Sequence, residues 1–226
     1  MSNILVRTIN LAACVFMLSL FSLSAAELDS LNRDPKYVAN IVERSGKIVE
    51  KLELRDKTIE KNVINILANR YFALNDIYEK RDRAVKEAKE KLTGEAKDIA
   101  VKNAQMEADA ALYRSHFAFP ATLSLYLNDK QIDAIKDGMT YNVLHVTYKA
   151  QLDMIPTLKE EEKKQIYAWL VEARELAIDA ESSKKKHEVF GKYKGRINNY
   201  LSKRGYNLTK EREEWEKRVR ARGERL

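Results

Sequence analysis

Apolar residues recur every three or four positions along most of this chain, with polar residues between them. That period is typical of amphipathic α-helices. The first predicted helix begins at Asp34-Pro35, an N-cap followed by proline at the first helical position, and runs to about Leu54. A longer predicted helix runs from Lys57 to Leu92 and ends at Thr93-Gly94. Further helices are predicted over residues 95–117, 128–137, 157–180, 183–205 and 209–222.

Two of these helix starts carry the spacing of a capping box, in which a polar N-cap is followed three residues later by Glu or Gln. Asn128 with Gln131 is one pair, and Thr157 with Glu160 is the other. Both pairs predict where a helix begins.

The segment from Met139 to Met154 is ambiguous. Leu144 and Leu152 fit a helical stripe, whereas Val143 and Val146 would also suit a strand. We favour a helix, because no neighbouring segment offers a strand partner.

Glycine and proline, which interrupt helices, occur only seven and three times in 226 residues. No internal repeat or long linker divides the chain. We therefore predict an all-α, single-domain bundle of about six to eight helices.

The N-terminal 26 residues are typical of an export signal. Arg7 precedes an apolar run from Leu11 to Leu23, and Ser24-Ala25-Ala26 provides the small residues of a cleavage site. The prediction is a signal peptide over residues 1–26, a helical domain over 27–226 without a transmembrane span, and a periplasmic or secreted location. Leu11-Ala12-Ala13-Cys14 leaves one alternative, a protein anchored through a lipid on Cys14.

Several kinds of chemistry are absent from the sequence. Cys14 is the sole cysteine, so the mature chain has no disulfide, thiolate zinc site or cysteine nucleophile. His116, His145 and His187 lie too far apart for a metal-ligand motif, and no phosphate loop or dinucleotide fingerprint is present. We predict no metal and no cofactor, and catalytic residues stay unknown.

A basic segment from Lys184 to Tyr206 holds the clearest candidate surface, since it contains a single acid, Glu188. On a helix its side chains divide into three faces. The apolar face contains Phe190, Tyr193, Ile197 and Leu201; the basic face contains Lys185, Lys192, Arg196 and Lys203; the third contains His187, Gly191, Gly195 and Asn198.

Gly191 and Gly195 need an explanation, because each glycine within a helix costs about 1 kcal/mol relative to alanine. We favour close packing against another helix. The alternatives are a ligand that approaches the backbone, and a simple bend.

The basic face is either an ordinary solvated surface or a site for an anionic ligand. In the second case the ligand is an acidic glycan or another anion, and export argues against nucleic acid. Lys192, Arg196 and Lys203 would attract the charge of a uronate. The predicted hydroxyl-binding residues are His187, Asn198, Asn199 and Tyr200.

The segments 137–141, 173–175, 182–184 and 190–201, the last reading FGKYKGRINNYL, resemble an exported family of Bacteroidetes proteins catalogued as domain of unknown function 3826. The resemblance extends over nearly all of the predicted mature chain. It implies an accessory role in polysaccharide utilisation through carbohydrate binding, with a possible protein partner in a glycan-degradation system. The expected ligand is an acidic, pectin-like plant polysaccharide.

Two other classes of function stay open. A glycoside hydrolase or polysaccharide lyase would have a deep cleft with paired acids, or with a base beside the basic helix. A periplasmic helical chaperone or partner-binding protein would expose a concave apolar surface and dimerise. Residues 127–131, LNDKQ, are similar to the Leu-Thr-x-x-Gln motif of small periplasmic stress chaperones, with Asn128 in place of the threonine.

Overall fold

The structure, a computed structural model, describes residues 26–224, and the predicted signal peptide lies almost entirely outside them. These residues form helices and connecting turns, with no strand. The α-helices are α1 (Pro35–Val49), α2 (Lys57–Lys91), α3 (Gly94–His116), α4 (Ala118–Leu123), α5 (Asp129–Met139), α6 (Val143–Met154), α7 (Glu160–Ala177), α8 (Ser183–Lys203) and α9 (Leu208–Ala221). The prediction of an all-α, single-domain bundle is confirmed, as is the helix within 139–154.

Most predicted helix starts are also confirmed. The Asp34 carboxylate accepts the Tyr37 backbone N–H at 2.8 Å, and Asn128 and Gln131 form the reciprocal bonds of a capping box at 3.0 Å each. The capping box at Thr157 is wrong. Leu158 is buried in the core, and α7 begins only after it, with Lys159 at the N-cap.

The core consists of two apolar clusters. The first is made mainly by α1, α2, α4 and α5, and the second by α6, α7 and α8. Helices α2 and α3 pack together as a hairpin, and the small residues Ala104 and Ala108 are buried in it. The first cluster therefore places α1 and α2 beside the end of α5.

Helix α9 is held by Asp153, at the end of α6. Its carboxylate accepts the Trp215 indole N–H at 2.6 Å and two bonds from the Arg222 guanidinium at 2.7 and 3.1 Å. The bonds from Arg222 and Trp215 lower the pKa of Asp153 to about 2. Within residues 26–224 no helix has the length and apolar character needed to cross a membrane.

Candidate binding cleft

A cleft of about 910 Å³ opens between α1, α2, the turn after α5 and the first turn of α8. Tyrosine rings from three of these parts line it: Tyr37, Tyr71, Tyr78 and Tyr141. Polar side chains stand among the rings, including Asn40 of α1, Asn75 of α2 and Ser182 at the N-cap of α8. Aromatic surface with a few polar groups is typical of a small-molecule site.

Lys186, in the first turn of α8, lies against this cleft and is buried, with 6% of its surface exposed. Its ammonium donates to the Met139 carbonyl oxygen at 3.0 Å and lies 5.8 Å from the centre of the Tyr71 ring. Burial, reinforced by the positive charges of Arg44 and Arg70, lowers the pKa of Lys186 to about 8.

Arg44 brings a second cation to the same ring. Its guanidinium carbon lies 5.5 Å from the centre of the Tyr71 ring, and its Nη2 donates to the Tyr141 hydroxyl oxygen at 3.4 Å. The neighbouring Glu43 is paired with Lys47 at 2.6 Å. Within the described part of the chain, neither Arg44 nor Lys186 forms an ion pair.

Tyr71 and Tyr78 stay neutral at physiological pH. Burial raises the pKa of each phenol to about 12. The Tyr78 hydroxyl donates to the Asp179 carbonyl oxygen at 2.7 Å, which fixes its ring beside the cleft. Both rings therefore present rigid apolar faces rather than charge.

Tyr141 is held at the cleft by a turn of unusual backbone conformation. Tyr141 and Asn142 both have left-handed φ angles, 57° and 59°. The Asn142 N–H donates to the Asp137 carbonyl oxygen at 2.8 Å, and buried Thr140 donates its hydroxyl to the Lys136 carbonyl oxygen at 2.9 Å. Such strain is often found at functional sites.

The same turn is anchored from outside the cleft. Arg174 and His145 bind the two carboxylate oxygens of Asp137 at 3.1 and 2.9 Å. Gly138 allows α1 to approach, because a Cβ atom there would lie 2.5 Å from Ile48 Cγ2. One wall of the cleft thus depends on α1 and α7 together.

A buried network supports the opposite side of the cleft. The carboxylate of Asp179 binds the Arg70 guanidinium at 2.5 Å and the His116 ring at 2.7 Å. Arg70 also donates to the Ser115 hydroxyl at 2.9 Å. These contacts join α2, α3 and the loop that leads into α8.

Of the predicted site residues, His187 alone contacts a residue that lines the cleft. Its ring stacks on Tyr141, with centroids 5.7 Å apart and 10° between the planes. Arg196 and Tyr200 pack instead on Trp169 of α7: the guanidinium lies 4.7 Å from that ring, and the Tyr200 ring meets it edge-on at 5.1 Å.

The remaining four predicted residues, Lys192, Asn198, Asn199 and Lys203, are exposed and make no side-chain hydrogen bond or ion pair within residues 26–224. The structure therefore does not gather the seven predicted residues into one site.

The interpretation of Gly191 and Gly195 as a close helix contact is wrong. A Cβ atom at either position would have no described atom within 4 Å beyond its own helix and chain neighbours. Both glycines face open space, since the apolar face of α8 is turned the other way, with Phe190 and Ile197 buried. Helix α8 continues through both positions without a break.

Two observations lie outside the cleft. Four exposed apolar residues follow one side of α3: Ile99, Met106, Tyr113 and Phe117 at its C-cap. Among the described residues, no cluster of His, Cys, Asp and Glu could hold a metal ion.

The family model described as "Protein of unknown function (DUF3826)" matches residues 38–221, from α1 to the end of α9. No curated protein matches the chain. Segments 137–141 and 182–184, which carry part of the family resemblance, border the cleft through Gly138, Tyr141, Ser182 and Ser183.

Proposed function

Because the chain belongs to that family, whose description assigns no activity, we propose a function from the geometry of the cleft: the protein is an exported carbohydrate-binding accessory protein in the use of acidic plant polysaccharide. The single observation that carries the proposal is the convergence of four tyrosine rings on one cleft, with the cations Arg44 and Lys186 beside the ring of Tyr71. The volume of the cleft, about 910 Å³, suits a short oligosaccharide segment.

Aromatic rings and dispersed polar groups match the two surfaces of a sugar. The C–H faces of a pyranose ring are apolar and pack on tyrosine, while hydroxyls at its edge need donors and acceptors. Tyr71 and Tyr141 offer faces, and Asn40 and Ser182 offer polar partners beside them. The accessory role is what the family resemblance implies, and export is what the N-terminal segment predicts.

The proposal is tested by replacing a cleft tyrosine whose loss leaves the core intact. Tyr141 is 45% exposed, so Tyr141→Ala should fold and should weaken oligosaccharide binding about tenfold, the loss of one aromatic contact. Tyr113→Ala is the matched control, because Tyr113 is 70% exposed on α3, away from the cleft.

Binding would be measured by affinity gels with acidic and neutral plant polysaccharides and by calorimetry on any hit. Retention by none of these polysaccharides, or equal loss in both variants, would contradict the proposal.

A polysaccharide lyase is the second candidate, since Lys186 is a base on the basic helix that faces a cleft. The neutral amine would take the proton from C5 of a uronate, the electron pair would form the C4=C5 double bond, and the C4–O4 bond would break. The departing oxygen would take the Tyr141 hydroxyl proton. Ultraviolet absorbance of the new double bond, lost in Lys186→Met and rising with pH through about 8, would identify this activity.

A further inference from the structure

We propose that Arg44 and Lys186 form a carboxylate subsite in the cleft, where they bind the acidic group of a uronate whose ring packs among the tyrosines. This inference rests on the proposed function and names the part of the cleft that would select an acidic sugar. The basic face of α8 is not needed for that selection.

The fold brings the two cations to the same aromatic ring although they lie 142 positions apart in the chain. Both lie against the ring of Tyr71, at 5.5 Å for Arg44 and 5.8 Å for Lys186. Arg44 is exposed at the mouth of the cleft, whereas Lys186 is buried beside it. A carboxylate between them would receive a guanidinium from the outer side and an ammonium from the inner side.

The charge balance around Lys186 favours an anion. An ammonium has three donors, and this one has a single acceptor among the described residues, the Met139 carbonyl oxygen. A buried charge without a counter-ion is costly, so an arriving carboxylate would gain from pairing with it. Asp179, whose negative charge favours the charged form of Lys186, is already shared by Arg70 and His116.

The groups that face Lys186 also set how its affinity for an anion depends on pH. Arg44 of α1 and Arg70 of α2 disfavour its positive charge, and Asp179 favours it. Glu181, near the start of α8, is paired with Arg81 at 2.7 Å. A bound carboxylate would raise the pKa of Lys186 above its free value of about 8, so binding takes up protons above that pH.

The test uses two probes that differ in the charge of each carboxyl group and by one small methyl group: galacturonate oligosaccharides and the same oligosaccharides as methyl esters. We expect the wild-type protein to prefer the acid at least tenfold at about pH 7, and to lose most of that preference at about pH 9. Calorimetry at both pH values measures this.

Two variants locate the preference. Lys186→Met and Arg44→Gln should each reduce acid binding about tenfold and reduce binding of the methyl ester much less. Lys184→Met is the matched control, because Lys184 is exposed in the same turn of α8 and should keep the preference. Circular dichroism and the retained ester binding establish that the variants fold.

The outcomes separate the two proposals. Equal binding of acid and ester by the wild-type protein would overturn the carboxylate subsite and leave carbohydrate binding in place. An acid preference that survives in both Lys186→Met and Arg44→Gln would also overturn it. Binding of neither probe would overturn the subsite, and with the same result on the full polysaccharide panel the proposed function would fail as well. Affinity that increases with pH would contradict the subsite.

Discussion

The ammonium of Lys186 lies 3.0 Å from the carbonyl oxygen of Met139, and that oxygen is its one hydrogen-bond acceptor within residues 26–224. The positive charge of Lys186 is therefore buried with a single acceptor, which lowers the stability of the folded state. The pKa of Lys186 falls from its ordinary value of 10.5 to about 8, which corresponds to on the order of 3 kcal/mol at neutral pH.

We expect Lys186→Met to raise the free energy of unfolding at about pH 7 by on the order of 2 kcal/mol, since methionine keeps most of the packing and removes the desolvated charge. The wild-type protein should gain stability as pH rises from about 8 to 10.5, because the unfolded chain binds the extra proton in that window. The variant should lack this gain. Urea unfolding across the range measures both effects.

Lys184→Met is the control, and its stability should match that of the wild-type protein at each pH. A loss of stability in Lys186→Met would mean that the bond to Met139 outweighs the cost of burial.

Gly138 sets the distance between α1 and the end of α5. A methyl group there would lie 2.5 Å from Ile48 Cγ2, so Gly138→Ala should destabilise the protein by about 1–3 kcal/mol. In an Ile48→Ala background the nearest remaining side-chain atom is Cβ at 3.4 Å, and the same substitution should cost much less. A double-mutant cycle by urea unfolding measures the difference, and additive effects would contradict the close contact.

The sequence predicted the helices well, because caps and periodicity are local properties. Asp34 and Asn128 define helix starts through bonds to residues three positions later. The start of α7 was missed because it depends on Leu158, which turns into the core before the helix begins. Tertiary packing, and not local sequence, therefore determines where α7 begins.

The cleft could not be predicted from the sequence, because it also depends on tertiary packing. Arg44, Tyr71 and Lys186 come from three helices, and no local spacing joins them. One signal could have been found: Lys186 precedes Phe190 by four residues, so it lies on the apolar face of α8 rather than on the basic face. A lysine in a core position is expensive and indicates a special environment.

Glu162 makes the fold sensitive to acid. Burial opposes its ionisation, but bonds from the Tyr206 hydroxyl, the Lys159 backbone N–H and the Arg204 guanidinium outweigh burial and lower its pKa to about 2. Its stabilising effect is therefore complete above its ordinary pKa of 4.5 and disappears as pH falls towards 2.

Glu162→Gln should lower the free energy of unfolding at neutral pH by on the order of 2 kcal/mol and reduce the loss of stability between pH 4.5 and 2. Urea unfolding at several pH values checks this. Glu161→Gln, at an exposed neighbouring position, should have a much smaller effect. Equal acid sensitivity in Glu162→Gln and the wild-type protein would contradict the role of this carboxylate.

Gly191 and Gly195 should be replaceable without steric cost, because a Cβ atom at either site meets open space. Each change to alanine should stabilise α8 by about 1 kcal/mol through helix propensity. Thermal unfolding of the double variant measures the gain. Unchanged glycan binding would contradict the alternative that a ligand approaches the backbone at Gly191 and Gly195. A loss of binding would support that alternative.

The basic face of α8 and the cleft make different predictions for salt and for mutation. Lys192 and Lys203 are exposed and make no ion pair within the described residues. If they held the glycan, salt would screen the attraction and the affinity would fall as salt concentration rises. We expect Lys192→Gln with Lys203→Gln to leave affinity for galacturonate oligosaccharides within about twofold of the wild-type value, because the cleft carries the charge recognition. Calorimetry on this double variant and on Arg44→Gln, each at two salt concentrations, compares the two surfaces directly. A tenfold loss in the double variant together with full binding by Arg44→Gln would instead place the glycan on α8, where the sequence predicted it.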